Sequence, residues 1–315
     1  MDASDKGSKT KVKFAFQRVQ RKVQRRVQGR MQGKKFFITG VGDDQGYAWS
    51  IAKALAEAGA TLIIGVWVPR VSRFCAKWQS GVYDTSRVLK RGGLMSFEHI
   101  YPVDFRYQTM EDVPKGVREH KLFSEHRNYS IGDVAKQLEK DLGKIDGYVH
   151  SIAHSPDVNR PLLDVSRSVY LETIQASSYS FVASVQQLGP LLNPGGSVVT
   201  LTYIGSRCVI PGYGGGMSSA KAALESDVKV LAFEMGEQWG IRVNAISANP
   251  LRSSAGRACY AIDALCSRAT ASSPLRRRMQ DCGVGKAARF LLSSESEGLT
   301  GVILPVDYGS HIMGP

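Results

Sequence analysis

The amino-acid sequence predicts an α/β fold in which one doubly wound parallel sheet forms a single domain. From Gly33 onward, short runs of β-branched or aromatic residues alternate with helical patterns, which is the order that builds a parallel sheet covered on both faces. The chain has 315 residues, of which 43% are hydrophobic. That length and composition can bury a substantial core, and α/β enzymes of this size often form one domain.

The first predicted strand, residues 35–39, leads into the first helix. Ala48, Ile51, Ala52 and Leu55 follow at positions i, i+3, i+4 and i+7, which gives this helix one apolar face. Gly59 marks its end. Further strands are predicted at 62–66, 100–103, 148–150, 198–201, 243–246 and 302–304, and further helices at 131–142, 171–188 and 221–235.

Two segments, 69–98 and 250–274, lack clean periodicity. We expect each to be a long excursion from the sheet. Ligands of open α/β sheets bind beyond the carboxyl ends of the strands, and long loops at that edge are candidate lids.

Residues 1–32 form a basic tail, and residues 33–315 form the predicted domain. The formal net charge is +13, but residues 6–35 hold twelve Lys or Arg and no acid, so about +1 remains for the rest of the chain and a nucleic-acid partner is not expected. Val19, Val23, Val27 and Met31 recur every four residues. This pattern permits a basic amphipathic helix, a remnant of an organelle-targeting sequence or a solvated tail.

The cysteines predict a reduced compartment and no metal site. Their number is odd, and their spacing contains neither a C-x2-C pair nor a nearby His at ligand distance. The apolar runs have the length of strands, well below the roughly 18 residues of a membrane helix, so no membrane association is expected. The five cysteines are Cys75, Cys208, Cys259, Cys266 and Cys282.

A glycine-rich turn after the first strand is the candidate cofactor site. Gly40, Gly42 and Gly46 stand between this strand and the first helix, where glycines let the backbone approach a pyrophosphate and a helix start offers free N–H groups. The spacing is not the dinucleotide G-x-G-x-x-G, so the turn alone is a weak signal.

No acid follows the second strand, where enzymes that use NAD often bind the ribose hydroxyls. Trp67 there can lie beside an adenine or cap the sheet edge, and Arg70 leaves NADPH open because a guanidinium suits a 2′-phosphate. Asp104, after the third strand, can accept a hydrogen bond from an adenine amine or serve as a turn residue.

Lys221 and Tyr213 form the candidate catalytic pair. Lys221 begins a predicted helix three residues before the apolar Leu224, which turns its ammonium inward and requires a partner such as a nicotinamide ribose. Short-chain dehydrogenases that reduce carbonyls have a tyrosine four residues before this lysine, but here the position is Met217. Tyr213 comes eight residues before Lys221, with three glycines between them, and Tyr203 comes ten residues earlier. A tyrosine on a glycine-rich loop meets the substrate from a different angle than a tyrosine on the helix. This arrangement favours stabilisation of an enolate oxygen over protonation of a ketone.

Several motifs resemble the enoyl-acyl-carrier-protein reductases of plant, apicomplexan and chlamydial type. They are VHSIA at 149–153, PLL at 161–163, ASSYSF at 176–181 and above all PGYGGGMSSAKAALESD at 211–227, and the likeness extends from Gly33 to Gly314. The resemblance implies a Rossmann fold, reduction of trans-2-enoyl thioesters on acyl carrier protein, NADH rather than NADPH as donor, and a homotetramer. It also implies a plastid or apicoplast stroma, with a bacterial cytoplasm as the alternative.

Carried over by position, the resemblance also assigns site residues. Tyr213 hydrogen-bonds the thioester carbonyl, Lys221 the ribose, and Tyr203 lines the acyl pocket with Ser155. The cofactor-binding positions are Gly40, Gly46, Tyr47, Trp67, Asp104, Phe105, Ser151, Ile152, Lys221, Pro250, Leu251 and Ser253. No metal site is implied.

The sequence departs from the family pattern around the expected nicotinamide and lid regions. His154-Ser155 replace Asn-Gly, Asn249 and Ser254 replace Gly and Arg, and Tyr308 replaces Asn. Asn249 suits its position if the backbone there needs a positive φ, where Asn is enriched.

Two alternatives remain at this stage. One is a carbonyl-reducing dehydrogenase, against which Met217 argues. The other is a weakly active paralogue that binds nucleotide or RNA through the basic tail.

Overall fold

A computed structural model describes residues 31–277, 279 and 281–314. The predicted basic tail lies outside these residues except at its end. There, the side chain of Met31 is 2% exposed within the core, and its N–H donates to the carbonyl of Ala58. Met31, which the prediction assigned to the tail, therefore packs against the folded domain, and the boundary itself stays a prediction.

The described residues form one seven-stranded parallel sheet in the order β3-β2-β1-β4-β5-β6-β7. From β1 the strand order runs outward to β3 on one side and from β4 to β7 on the other. This reversal of the strand order between β1 and β4 confirms the doubly wound topology. Each predicted strand is present, usually extended by one to several residues. The bounds are β1 Lys35–Thr39, β2 Thr61–Trp67, β3 His99–Val103, β4 Ile145–His150, β5 Leu192–Thr202, β6 Arg242–Ala248 and β7 Ile303–Val306.

Ten α-helices are present in the described chain. Their bounds are α1 Tyr47–Glu57, α2 Val68–Gln79, α3 Asp84–Arg87, α4 Lys115–Arg118, α5 Ile131–Leu142, α6 Arg167–Ile174, α7 Ser180–Leu188, α8 Met217–Trp239, α9 Ile262–Ser272 and α10 Asp281–Leu292. Short 3-10 turns connect some of them.

Alternation along the strands places one core on each face of the sheet. Phe36 and Ile38 of β1 point to the face covered by α1 and α10, whereas Phe37 points to the face covered by α5, α7 and α8. Ile51 of α1 is fully buried, which contributes about 1.5–3 kcal/mol relative to an exposed side chain.

The predicted helix 171–188 is interrupted. A π-helical turn, Gln175–Tyr179, separates α6 from α7. Within it the Ser177 hydroxyl accepts from the His154 N–H and donates to the His154 carbonyl, both at 2.8 Å. A π turn accommodates one extra residue within a helix, and here it places the Ser177 hydroxyl against the segment after β4.

The prediction of an irregular segment at 69–98 is wrong, because it contains α2 and α3. Pro69 begins α2 rather than a loop, since proline is tolerated in the first turn of a helix. The buried side of α2 consists of Val68, Val71 and Phe74, whose spacing of three residues is typical of a helix and was overlooked in the sequence. The segment 250–274 is irregular only before α9.

Candidate active site

The glycine turn after β1 is built for close packing and for an open helix start. Gly40 has φ +85°, and a Cβ there would collide with the carbonyl of Ser151 at the end of β4. A glycine is thus required at position 40 because the ends of β1 and β4 approach each other closely there. The sequence by itself explains this glycine only by the approach of a cofactor. Gly46 caps α1 without a side-chain hydrogen bond, and a Cβ there would point into open space. The first N–H groups of α1 can therefore receive a phosphate.

Trp67 and Asp104 meet at the carboxyl ends of β2 and β3. The Trp67 Nε1–H donates to Asp104 Oδ2 at 3.2 Å. The Arg106 guanidinium forms a two-point pair with the same carboxylate, at 3.0 Å and 2.7 Å, and Asp104 is 1% exposed. Trp67 itself is 39% exposed. The adjacent Phe105 is buried, with its ring edge toward His150. Asp104 thus holds the side chains of Trp67 and Arg106 in place through hydrogen bonds within the protein itself.

The segment after β4 is tied to the glycine run before α8. The Ser155 hydroxyl donates to the Gly215 carbonyl at 2.9 Å, and the Thr173 hydroxyl contacts both of these oxygens at 2.9 Å. Ser155 is buried, so its hydroxyl orients the glycine run instead of facing the cleft. Ser151 and Ile152, both half-buried, lie closer to the glycine turn, and Ile152 also touches the position of a Gly40 Cβ.

Tyr203 and Tyr213 lie together at the end of β5. Their rings meet edge to face with centroids 5.1 Å apart, an arrangement that aromatic quadrupoles favour. Gly205 lies against both rings, and a Cβ on it would come within 2.9 Å of Tyr213. Burial raises the pKa of both phenols above the usual value. Both hydroxyls therefore stay protonated at neutral pH and can donate hydrogen bonds.

Lys221 lies in the second turn of α8, four residues after its first residue, Met217. The side chain is 5% exposed, and its Nζ donates to the Leu201 carbonyl at 2.9 Å. Burial lowers the pKa of Lys221 to about 8, and the Glu225 carboxylate opposes this effect. The inward orientation agrees with the expectation, although the lysine does not begin the helix as predicted. One of its three N–H donors is engaged by Leu201, which leaves two for a ligand.

His150 is a fully buried group beside this site that sequence reasoning did not assign. Its Nδ1 lies 3.0 Å from the Thr200 hydroxyl, and its Nε2 lies 3.0 Å from the Ser180 hydroxyl. The Ser180 hydroxyl also donates to the Ala176 carbonyl at 2.8 Å, and the Thr200 hydroxyl donates to the His150 carbonyl at 3.3 Å, so both hydroxyls fix the ring between β5 and α7. Burial and then the charge of Lys221 lower the pKa of His150 to about 3, so the ring is neutral.

The segment after β6 packs against the start of α1 and against α2. The Tyr47 hydroxyl at the start of α1 donates to the Asn249 carbonyl at 2.5 Å, and Arg70 Nη1 donates to the Ser254 hydroxyl at 2.8 Å. Pro250, Leu251 and Ser253 are half-buried between these contacts. The segment is thereby fastened to the first residue of α1 and to α2, and its role as a lid stays a prediction. The pairing of Arg70 with Ser254 joins residues 184 positions apart, which sequence reasoning cannot reveal.

The backbone at Asn249 does not have a positive φ, so the condition under which Asn suits this position does not apply. Among described non-glycine residues, positive φ occurs at Arg276 and Tyr308, at +47° and +57°. Asn249 instead uses its amide, which donates to the Asp307 carbonyl at 2.9 Å and accepts from Ser310 at 3.0 Å. The position that needs a left-handed backbone is Tyr308, where the family pattern has the more tolerant Asn.

The described residues contain no cluster of three or more His, Cys, Asp or Glu side chains able to hold a metal ion. Among the same residues, no helix is long and apolar enough to span a membrane.

Comparisons with known proteins agree with this arrangement. Residues 126–311 match the family model described as enoyl-(acyl carrier protein) reductase. The chain is 47% identical to rice chloroplastic enoyl-[acyl-carrier-protein] reductase [NADH] 1 over 281 residues, covering 89% of this chain and 75% of the relative. It is 46% identical to the Arabidopsis thaliana chloroplastic NADH enzyme, covering 89% and 72%. A Plasmodium berghei enoyl-acyl-carrier-protein reductase, solved with triclosan, superimposes with TM-score 0.87 at 42% identity, covering 90% and 99%.

Proposed function

Since this chain belongs to the enoyl-acyl-carrier-protein reductase family, we propose that Tyr213 and Lys221 carry out its reaction. That reaction is the NADH-dependent reduction of trans-2-enoyl-acyl-carrier-protein to acyl-acyl-carrier-protein in fatty acid synthesis. The proposal rests above all on Lys221, a buried lysine at the end of β5 with two N–H donors left for a ligand. Met217 occupies the position four residues earlier, so the phenol must come from the glycine-rich loop.

Tyr213 stabilises the charge that develops on the substrate. NADH, when bound, supplies the hydride that forms a bond to the β-carbon of the enoyl thioester. The electron pair of the double bond would then move toward the thioester oxygen, and a proton taken from water and added at the α-carbon would complete the saturated product. A protonated phenol beside that oxygen donates a hydrogen bond that strengthens as charge builds up. Tyr203 holds the Tyr213 ring by its edge-to-face contact and lines the acyl pocket.

Lys221 binds the nicotinamide ribose. Its ammonium is fixed by the Leu201 carbonyl, and the two remaining N–H donors match vicinal hydroxyls. A buried cation interacts more strongly with such a partner than an exposed one, because little water competes.

The residues around the glycine turn fit a dinucleotide. The uncapped start of α1 at Gly46 suits the pyrophosphate, and Trp67 offers a partly exposed ring to the adenine. Arg70 lies against Gly42, whose Cβ position is 3.6 Å from the Arg70 Cδ. A guanidinium there tolerates NADPH, but nothing in the site requires a 2′-phosphate, so NADH remains the expected donor.

A direct assay tests this function. The full chain is incubated with crotonyl or dodecenoyl thioesters and either NADH or NADPH, and oxidation of the cofactor is followed at its absorbance maximum. We expect turnover of both thioesters with a higher kcat/KM for NADH. Absence of enoyl reduction, together with reduction of ketone substrates, would refute the proposal.

We further propose a homotetramer in a plastid or apicoplast stroma, with a bacterial cytoplasm as the alternative. The rice and Arabidopsis relatives are chloroplastic. Val230 and Phe233 of α8 are 52% and 69% exposed, and such an apolar helix face suits a second copy of the chain. Sedimentation equilibrium should give four copies for the full chain and fewer for Phe233→Glu, whereas Val82→Glu, on a loop, should leave the mass unchanged. A monomeric wild-type chain would refute the assembly.

A further inference from the structure

Glu225 is a buried carboxylate at the active site whose role no motif assigned. It lies on α8 one helical turn after Lys221 and is 6% exposed. Its Oε1 accepts from the Thr202 hydroxyl at 2.9 Å and from the Ser206 hydroxyl at 2.6 Å. Its Oε2 accepts from Arg207 Nε at 3.0 Å.

These three donors flank Tyr203 on both sides. Thr202 is the last residue of β5 and directly precedes Tyr203, and Ser206 and Arg207 follow it within one turn. A single carboxylate therefore fastens both ends of the short 202–207 loop to α8. Since the Tyr203 ring contacts Tyr213 edge to face, the position of the loop also determines the position of Tyr213.

A buried carboxylate is costly unless it is paired and hydrogen-bonded. Arg207 is 60% exposed in its side chain, so solvent weakens its pairing with Glu225. The negative charge of Glu225 is therefore not fully neutralised by Arg207. It can also interact with the ammonium of Lys221, which lies one turn earlier on the same helix.

The other titratable groups near Lys221 do not supply a negative charge. His150 faces it from β4 and is neutral, because burial and the charge of Lys221 itself lower its pKa. Tyr203 and Tyr213 are protonated phenols, because burial raises their pKa. Glu225 is the described carboxylate that raises the pKa of Lys221 against the effect of burial.

We propose that Glu225 is a positioning residue for enoyl reduction, which orders the 202–207 loop beneath the two tyrosines and lends its negative charge to the buried ammonium of Lys221. This inference rests on the proposed roles of Tyr213 and Lys221. Loop order alone would not demand a charge, because a neutral acceptor can satisfy Thr202 and Ser206. The two roles can therefore be separated.

The test compares Glu225→Gln with Glu234→Gln in the full chain. Glu234 is an exposed glutamate on the same helix, so it is a matched control. In Glu225→Gln the amide oxygen of the new side chain can still accept from Thr202 and Ser206, which keeps two of the three contacts to the loop, whereas its NH2 group cannot accept from the exposed Arg207. The dissociation constant of NADH is measured by fluorescence from pH 6 to 10, and kcat and KM are measured with crotonyl thioester.

For Glu225→Gln we expect the pH at which NADH affinity declines to fall by about one unit, because an opposite charge within one helical turn shifts a pKa by that order. We also expect kcat at pH 8 to fall about tenfold while KM for the thioester stays within twofold. Glu234→Gln should match the wild type. An unchanged pH midpoint in Glu225→Gln would overturn the inference even if kcat falls.

Arg207→Ala provides a second test if Glu225→Gln does not fold. Removing this cation leaves the Glu225 charge to act on Lys221 alone, so the pH midpoint of NADH binding should rise, whereas a midpoint that falls or stays constant contradicts the inference. The binding profile does not depend on turnover. A wild-type chain that binds NADH but reduces no enoyl thioester would therefore refute the proposed function, and the pH midpoints would still decide the role of Glu225.

Discussion

Replacing Tyr213 by phenylalanine tests whether its hydroxyl acts in the transition state. The substitution removes one oxygen and keeps the ring, so the edge-to-face contact with Tyr203 at 5.1 Å is preserved. A hydrogen bond made equally to substrate and transition state contributes about 1 kcal/mol, or roughly fivefold. A preorganised donor aimed at a developing oxyanion contributes about 3–4 kcal/mol, or ~10²–10³-fold in kcat. We expect the larger loss, with NADH affinity changed less than twofold.

The assay measures kcat with saturating crotonyl thioester and NADH dissociation constants by fluorescence, after circular dichroism has shown that each variant is folded. Tyr260→Phe is a matched control, because Tyr260 lies on the lid segment and is 88% exposed; it should retain the wild-type rate. Tyr203→Phe should have a milder effect than Tyr213→Phe. If Tyr203→Phe abolishes turnover while Tyr213→Phe retains it, the roles are reversed, and if neither matters the oxyanion mechanism is wrong.

The same contacts lead to four further predictions. Because burial lowers the pKa of Lys221 to about 8, its ammonium is present below that pH and lost above it, so NADH should bind more weakly as the pH rises from 7 to 9. Lys221→Ala should bind NADH weakly with no such pH dependence, and a pH-independent wild type would contradict this role. Arg70→Ala should weaken NADPH binding about tenfold more than NADH binding, since a guanidinium–phosphate contact contributes about 1.5–3 kcal/mol; equal effects in calorimetry would show that Arg70 does not face the 2′ position. Tyr308→Asn should raise the free energy of unfolding by about 1 kcal/mol, because the left-handed φ of +57° strains a tyrosine, and a lower value in urea titration would show that ring packing outweighs the strain. Deleting residues 1–30 should leave kcat and the oligomeric mass unchanged, because the basic charge bias of the chain is confined to residues 6–35, where the first strand begins; a folded but inactive truncation would place the tail within the enzyme.

The strands and most helices could be predicted because their signals are local. A continuous apolar run such as 62–66 indicates a strand that is buried on both faces, and this signal does not depend on distant residues. The apolar stripe of α5 is also complete, and its bounds Ile131–Leu142 match the predicted range. The interruption between α6 and α7 was missed because it depends on Ser177 bonding to His154, 23 residues away. The helix α2 was missed although Val68, Val71 and Phe74 recur every three residues, because Gly81, Gly92 and Gly93 later in the segment indicated a loop.

Part of the candidate site could be predicted because Tyr213 and Lys221 lie close in sequence, on one helix and the loop that precedes it. The eight-residue interval from Tyr213 to Lys221 fixes a phenol and an ammonium at one strand end, and the structure places both beside β5. Contacts between distant segments were not predictable. Asp104 was predicted to bind an adenine amine or to serve as a turn residue, and its pairing with Arg106 could not be read from the sequence because it depends on the local fold after β3.

The departures from the family pattern differ in how well the fold accommodates them. Ser155 gains the Gly215 carbonyl and Ser254 gains Arg70 as hydrogen-bond partners. Asn249 gains two partners beyond β7. Each of these polar side chains thus satisfies its own hydrogen-bonding capacity and joins two segments around the cleft, which stabilises the site. Tyr308 differs, because its strain lies in its own backbone and no neighbouring side chain can relieve it. The first three substitutions should therefore be costly to revert one at a time, whereas reverting Tyr308 should stabilise the protein.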